Sequence, residues 1–142
     1  MLITLETNID NMNPELYGDL LTLLLDAGAK DAWLIPIIMK KGRPAVTLKV
    51  LLDKDLLSSV SKLIFTHTTA IGLRYSPVGR VTCQRQIVAY NIDGQVIHVK
   101  EASYEGQVVN KSLEYEDLKR AAKAWNLSVK LAEYKVRKYI SW

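Results

Sequence analysis

The sequence predicts an α+β fold: a ferredoxin-like βαββαβ sandwich, followed by a β-hairpin and a helical C-terminal unit. Three observations carry this reading. Strand-like and helix-like periodicities alternate over residues 2–75 in the order strand, helix, strand, strand, helix, strand, the split βαβ arrangement. Asn13-Pro14 makes a helix start in the first half. Asp93-Gly94, flanked by apolar alternation, is among the strongest hairpin signals.

Each element has its own local reason. Leu2 to Thr7 alternates apolar and polar residues and reads as a strand. Asn13 caps the first helix and Pro14 fits its first turn. Leu16, Leu20, Leu23, Leu24 and Ala27 then share a face, and Gly28 ends the helix. Ala32 to Met39 and Val46 to Leu52 read as the second and third strands. Asp53 or Asp55 caps a second helix, whose buried face is Leu56, Val60, Leu63 and Ile64. Ile71 to Tyr75 is the fourth strand. Two helices then cover one face of an antiparallel sheet and leave the other open. Pro77 and Gly79 mark a boundary, giving domains of 1–77 and 78–142. In the second, Val81 to Asn91 and Gln95 to Glu101 form the hairpin. Ser112 caps a helix carrying Leu118, Ala121, Ala122 and Trp125, and Ser128 caps a last one with Leu131, Tyr134 and Tyr139.

Composition narrows the function. The chain has 142 residues, 49% hydrophobic and 24% charged, enough to bury a core without disulfides or a structural metal. A net charge of +4 is mild, and no basic stripe with interleaved aromatics marks a nucleic-acid binder. Cys83 is the only cysteine, so no internal disulfide or thiolate cluster forms, which fits a cytoplasmic setting. The apolar runs are too short to span a bilayer, and Glu6 and Asp10 stand where an export signal carries cations. No G-x-x-x-x-G-K-[ST] loop or G-x-G-x-x-G is present. His67, His98 and Cys83 are scattered without metal-cage spacing.

Three segments remain as candidates for chemistry. In Pro36-Ile37-Ile38-Met39-Lys40-Lys41-Gly42-Arg43-Pro44, three cations crowd a Gly/Pro turn between apolar strands. Arginine forks onto phosphate oxygens and lysine supplies point charge, so the turn suits a polyphosphate; a solvated hairpin tip is the alternative. In Glu6-Thr7-Asn8-Ile9-Asp10-Asn11-Met12-Asn13-Pro14, a strand ends and a helix begins, gathering free N–H groups, acids and amides. Glu6 and Asp10 are candidate ligands for a hard divalent cation; a helix cap with an Asx turn is the alternative. In Thr66-His67-Thr68-Thr69-Ala70-Ile71-Gly72-Leu73-Arg74, hydroxyls and a guanidinium at a helix–strand junction can hold phosphate oxygens; a helix C-terminus with Thr68 and Thr69 as turn residues and Gly72 for a strained backbone is the alternative. A fourth group, Lys100-Glu101-Ala102 with Glu114-Tyr115-Glu116-Asp117, reads as surface charge and helix-start acids.

These segments in this order resemble the C-terminal part of the pyridinium bisthiocarboxylic acid mononucleotide nickel insertion proteins of the nickel-pincer nucleotide pathway. The likeness rests on Glu6-Thr7-Asn8-Ile9-Asp10, Met12-Asn13-Pro14-Glu15, the basic turn, Thr68-Thr69 with Ile71-Gly72 and Arg74, Lys100, and Glu114-Tyr115-Glu116-Asp117. The chain departs from the pattern at Asn11 (commonly Asp), at His67 (an acid before the Thr pair) and at Leu113 (commonly Pro). The resemblance implies a CTP-dependent nickel chelatase, a lyase that inserts nickel into a pyridinium bisthiocarboxylic acid mononucleotide for lactate racemase. It implies CTP with Mn or Mg, and nickel as the substrate metal, held by an N-terminal nickel-binding domain outside this chain. On that pattern Lys40, Lys41, Arg43, Arg74, Thr68, Thr69, Asn8 and Lys100 bind the nucleotide, and Glu6 and Asp10 the metal. A homo-oligomer, a trimer or hexamer, follows from the open sheet face and edges. No nucleic acid or membrane partner is expected. Two other readings stay open: a non-catalytic ferredoxin-like module for oligomerisation or small-ligand sensing, and RNA binding on the open sheet through Trp33 and Tyr75.

Overall fold

The computed structural model describes residues 1–142, which divide into two compact units, Met1–Arg80 and Val81–Trp142. In the first unit β1 (Leu2–Ile9) leads through a short 3-10 turn, Pro14–Leu16, into α1 (Tyr17–Asp26). Then come β2 (Asp31–Met39), β3 (Arg43–Asp53), α2 (Leu57–His67) and β4 (Arg74–Pro77). The sheet order is β2-β3-β1-β4, and every neighbouring pair is antiparallel. This is the ferredoxin-like sandwich that the alternation predicts.

Period-two burial builds the core. Ile3, Leu5 and Ile9 of β1 and Leu48, Val50 and Leu52 of β3 face the helices, where Leu20, Leu24, Val60 and Ile64 meet them. The intervening residues, Thr4, Glu6 and Asn8 on β1 and Thr47, Lys49 and Leu51 on β3, share the opposite face. Asn13 accepts from the Glu15 N–H at 3.1 Å, capping the turn before α1. Gly28, at φ +100°, closes α1 in the left-handed region, where a β-carbon would press on Leu56 Cδ1 at 3.1 Å.

Several boundaries move from their sequence positions. Only Leu20 and Leu24 of the expected face are buried; Leu23 is partly exposed, and Leu16 is half-exposed because the 3-10 turn sets it out of phase with α1. Asp53 makes no side-chain cap, and instead pairs with Lys30 at 3.5 Å. The fourth strand begins at Arg74 rather than Ile71. The preceding segment returns from α2 as a loop, with Gly72 accepting from the Thr7 hydroxyl at 2.7 Å.

The second unit holds β5 (Gln84–Ile92), β6 (Gln95–Tyr104), β7 (Gln107–Leu113), α3 (Tyr115–Ala124) and α4 (Val129–Tyr139). The expected hairpin is in place, with Asp93 at φ 45° and Gly94 at φ 81°. It is extended by a third strand: Glu105 and Gly106, at φ 50° and 80°, make a second two-residue turn into β7, giving the order β5-β6-β7. Ser112 therefore lies in a strand, and Glu114 takes the cap position of α3. Ser128 caps α4, accepting from the Leu131 N–H at 3.2 Å. The buried face of α4 is Ala132, Val136 and Ile140, while Leu131, Tyr134 and Tyr139 are exposed. No helix is long and apolar enough to cross a membrane.

Asp117 is not surface charge but a buried joint. Its Oδ2 accepts from the His98 backbone N–H at 2.8 Å and meets His98 Nδ1 at 2.7 Å, and its Oδ1 accepts from Arg120 at 3.1 Å. β7 pairs with β6 only as far as Val99, so the carboxylate takes over the ladder at His98 and ties α3 to the sheet. Burial alone would raise the Asp117 pKa. The bonds from His98 and Arg120 outweigh it and hold the carboxyl below its ordinary value. Replacing Asp117 with Ala leaves the His98 N–H unsatisfied and should cost about 1–3 kcal/mol in urea denaturation at pH 7. Because the folded pKa is lowered, the parent's advantage is full above the unfolded pKa. It should fade as pH falls through the folded value. A variant as stable as the parent at pH 7 contradicts this.

Candidate functional site

Strand direction gathers the candidate segments at one end of the first unit. β1 and β2 run one way, and β3 and β4 the other. The end of β1 with Asp10, the start of α1, the β2–β3 turn, the end of α2 with Thr68 and Thr69, and the start of β4 with Arg74 therefore lie at the same end of the sheet.

The β2–β3 turn is tight and charged. Met39 pairs with Arg43, leaving Lys40, Lys41 and Gly42 to reverse the chain. Lys41 sits at φ 62°, ψ 19° and Gly42 at φ 69°, two consecutive residues in the left-handed region. A lysine there is strained, and glycine tolerates its position freely. Lys40, Lys41 and Arg43 are exposed, and none takes part in an ion pair. They are cations without internal partners, held on a hairpin stem.

Around the corner, on the sheet face opposite the helices, the charges are paired. Glu6 lies between Lys49 and Arg74 in the strand register. Arg74 Nε donates to Glu6 Oε1 at 2.6 Å, and Lys49 Nζ lies 3.3 Å from Oε2. Asn8 Oδ1 accepts from Thr47 Oγ1 at 2.9 Å and from Arg74 Nη2 at 3.4 Å. The Arg74 hydrogen bond is the chief reason the Glu6 carboxyl sits below the usual carboxylate range, with Lys49 adding to it against a smaller desolvation. Glu6, Asn8 and Arg74 are thus in direct contact, with Lys49 and Thr47 joining them. Neither of these two was among the sequence candidates. Lys49 carried a signal, being a lone cation inside the apolar run Val46 to Leu52.

Other candidates are not brought into that contact. Asp10 follows the strand in a bend, about 13 Å of strand rise from Glu6. It lines a separate cavity of ≈180 Å³ with Met12, Pro14, Tyr17 and Pro44. Burial raises the Tyr17 pKa, keeping that hydroxyl protonated. No group of three or more His, Cys, Asp or Glu side chains is arranged to hold a metal ion. The Thr68 hydroxyl donates to the Ile64 carbonyl at 2.7 Å and accepts from the Ala70 N–H at 3.1 Å, so it is occupied in closing α2; Thr69 is exposed. Lys100 belongs to the second unit, exposed on β6 and paired in register with Ile87 and Ser112.

Comparison with known proteins gives a consistent result. Residues 1–132 match the family described as nickel insertion protein. A pyridinium-3,5-bisthiocarboxylic acid mononucleotide nickel insertion protein of a Nocardioides species is 48% identical over 120 residues, 84% of this chain and 30% of the relative. One from Thermotoga sp. RQ2 is 37% identical over 139 residues, 98% of this chain and 35% of the relative. The chain thus spans about a third of the length of the curated relatives it matches. Among solved structures, the apo form of LarC2, the C-terminal domain of a cyclometallase involved in the synthesis of the NPN cofactor of lactate racemase, superposes with a TM-score of 0.87. It has 30% identity, with 99% of this chain and 97% of that one covered.

The Glu6 cluster makes a pH-dependent prediction. Its partners are a third or more exposed, so Glu6→Gln should cost less than about 1 kcal/mol at pH 7. The lowered pKa means the contribution is present above the ordinary carboxylate value and is lost as pH falls through the folded value. Urea unfolding followed by tryptophan fluorescence should show the two proteins converging as pH falls below the ordinary carboxylate range. A gap that widens in acid is the opposite result.

Proposed function

This chain belongs to the nickel insertion protein family, and we propose that it is the part that binds a nucleoside triphosphate, CTP, together with a divalent ion. The whole protein would insert nickel into the pyridinium bisthiocarboxylic acid mononucleotide named for its relatives. The supporting observation is the turn at Lys40, Lys41 and Arg43: three exposed cations with no acidic partner, on a strained loop whose glycine lets a ligand approach the backbone. The stabilising structure around the turn is the β2–β3 ladder, so these groups are held in place before any ligand arrives.

The roles follow from where the groups lie. Lys40, Lys41 and Arg43 take the triphosphate oxygens. Thr69 is the threonine with a free hydroxyl at that end, and Thr68 acts by shaping the turn. Arg74 and Asn8 extend the polar surface over the sheet edge. Lys100 is assigned to the nucleotide through the family pattern alone. The α1 start places the favourable, N–H-rich pole of a helix at this end.

For the divalent ion, Mn or Mg, the residues fit unequally. Glu6 is committed to Arg74 and Lys49 and does not fit as a free ligand. Asp10 is exposed, resolves no ion pair and fits the mode in which one carboxylate steadies an ion carried by phosphate oxygens. Such an ion supplies charge neutralisation to the phosphates. Nickel is the substrate metal, brought by a nickel-binding domain beyond this chain. A closed homo-oligomer in the cytoplasm, a trimer or hexamer joined through the exposed strand edges so that the sheet face stays open, completes the assignment.

Calorimetry with CTP and Mn tests it. Each charge-assisted bond removed is worth about 1.5–3 kcal/mol, so Arg43→Ala and Lys41→Ala should each weaken binding by roughly tenfold to a hundredfold. If both variants bind like the parent, the triphosphate site is elsewhere. A folded chain indifferent to every nucleotide would favour the oligomerisation or sensing module.

A further inference from the structure

We propose that the open face of the first sheet is a second seat, for an aromatic mononucleotide that carries anionic groups. Its ring lies over Trp33 and its anions at Lys49 and Arg74. The inference rests on the reading above, in which this chain belongs to a protein that handles a pyridinium mononucleotide, and adds where that molecule sits.

The face is built by register. Trp33 pairs with Lys49, Lys49 with Glu6, and Glu6 with Arg74, one residue on each of β2, β3, β1 and β4. Side chains alternate along strands, so all four stand on the face away from the helices, in a row spanning about 14 Å across three interstrand spacings. Trp33 is 36% exposed and Ile35, two residues along the same face, 38%. An indole on the solvent face of an edge strand does nothing for the core on the other side. It offers a flat π surface, which attracts a cationic ring by stacking and by the ring quadrupole.

The charges beside it are arranged for an anion. Two cations share one carboxylate: Lys49 Nζ at 3.3 Å and Arg74 Nε at 2.6 Å from Glu6. The row thus keeps a net positive charge. Glu6 acts here as a positioning residue, holding both head groups at fixed places. Arg74 spends Nε on Glu6 and Nη2 on Asn8, while Nη1 has no partner in the structure and remains for a phosphate or thiocarboxylate oxygen. Glu6 is the only acid in the row. The basic turn lies six residues along β2 from Trp33 to Met39, roughly 20 Å of strand, so a triphosphate at Lys40, Lys41 and Arg43 leaves Trp33 and Lys49 free, and Arg74 is the one group the two sites share.

Fluorescence titration with nicotinic acid mononucleotide, a pyridinium carboxylate of the same class, tests the seat on the intact chain. The parent should show saturable quenching. Lys49→Ala should weaken it about tenfold. Trp33→Phe should remove most of the quenching, with Trp125 and Trp142 left as emitters, and calorimetry should show the affinity reduced. Circular dichroism checks that both variants are folded. Both should bind CTP with Mn like the parent, so that a failure here is separate from a failure of the triphosphate reading, which Arg43→Ala addresses. The proposal is overturned if the parent is not quenched saturably. It is also overturned if folded Lys49→Ala and Trp33→Phe chains titrate like the parent.

Discussion

The antiparallel pairing of β1 with β3 on one side and β4 on the other is the constraint on which the first unit depends. β1 is central, so its register decides everything that crosses the sheet. It sets Ile3, Leu5 and Ile9 into the core and Glu6 and Asn8 out of it. It also sets Glu6 opposite Lys49 and Arg74. A slip of one residue would reverse the faces, burying a carboxylate under the helices and exposing the apolar set. The cost of burying an unpaired charge makes that slip prohibitive. Core packing and site geometry are thus one selection.

The same topology separates two kinds of positive charge. On the sheet, Lys49 and Arg74 share the Glu6 carboxylate, and the pairs add little stability because they are partly solvated. At the turn, Lys40, Lys41 and Arg43 have no acid to balance them. Three like charges on one loop repel one another, and a left-handed lysine adds strain. Nothing in the core needs that arrangement. A polyanion would relieve it, which is the physical basis of the proposed triphosphate site. The second unit shows the contrasting use of charge: Asp117 and Glu101 are buried with several partners each, and act as joints.

Much of the fold was legible because its signals are local. Alternation along Leu2 to Thr7, the Asn13-Pro14 start and the Asp93-Gly94 turn each depend on residues close in sequence, and each is where it was expected. β7 was not legible. Its turn is Glu105-Gly106, a weaker hairpin signal, and its residues Gln107 to Leu113 are mostly exposed, with no clean apolar alternation. The basic turn was visible as a cluster in the chain itself. The Glu6 row was not, since Arg74 is 68 residues away from its partner and only the register brings them together. Asp117 looked like a helix-start acid because His98, the group it serves, lies 19 residues upstream on another element. Of the two readings of Thr68, phosphate donor or turn residue at a helix end, the second describes its hydroxyl, which is taken by the closing of α2.

The central claim is that one end of the first sheet collects the groups that hold a triphosphate. The most direct measurement is amide chemical-shift mapping of the isotope-labelled chain during titration with CTP and Mg. The account predicts saturable shifts centred on Lys40, Lys41, Gly42 and Arg43, with smaller ones from Asp10 to Asn13 and at Thr69. Shifts centred on the opposite end, at Ala27 to Lys30 and Lys54 to Leu56, would contradict it, as would a spectrum that CTP leaves unchanged.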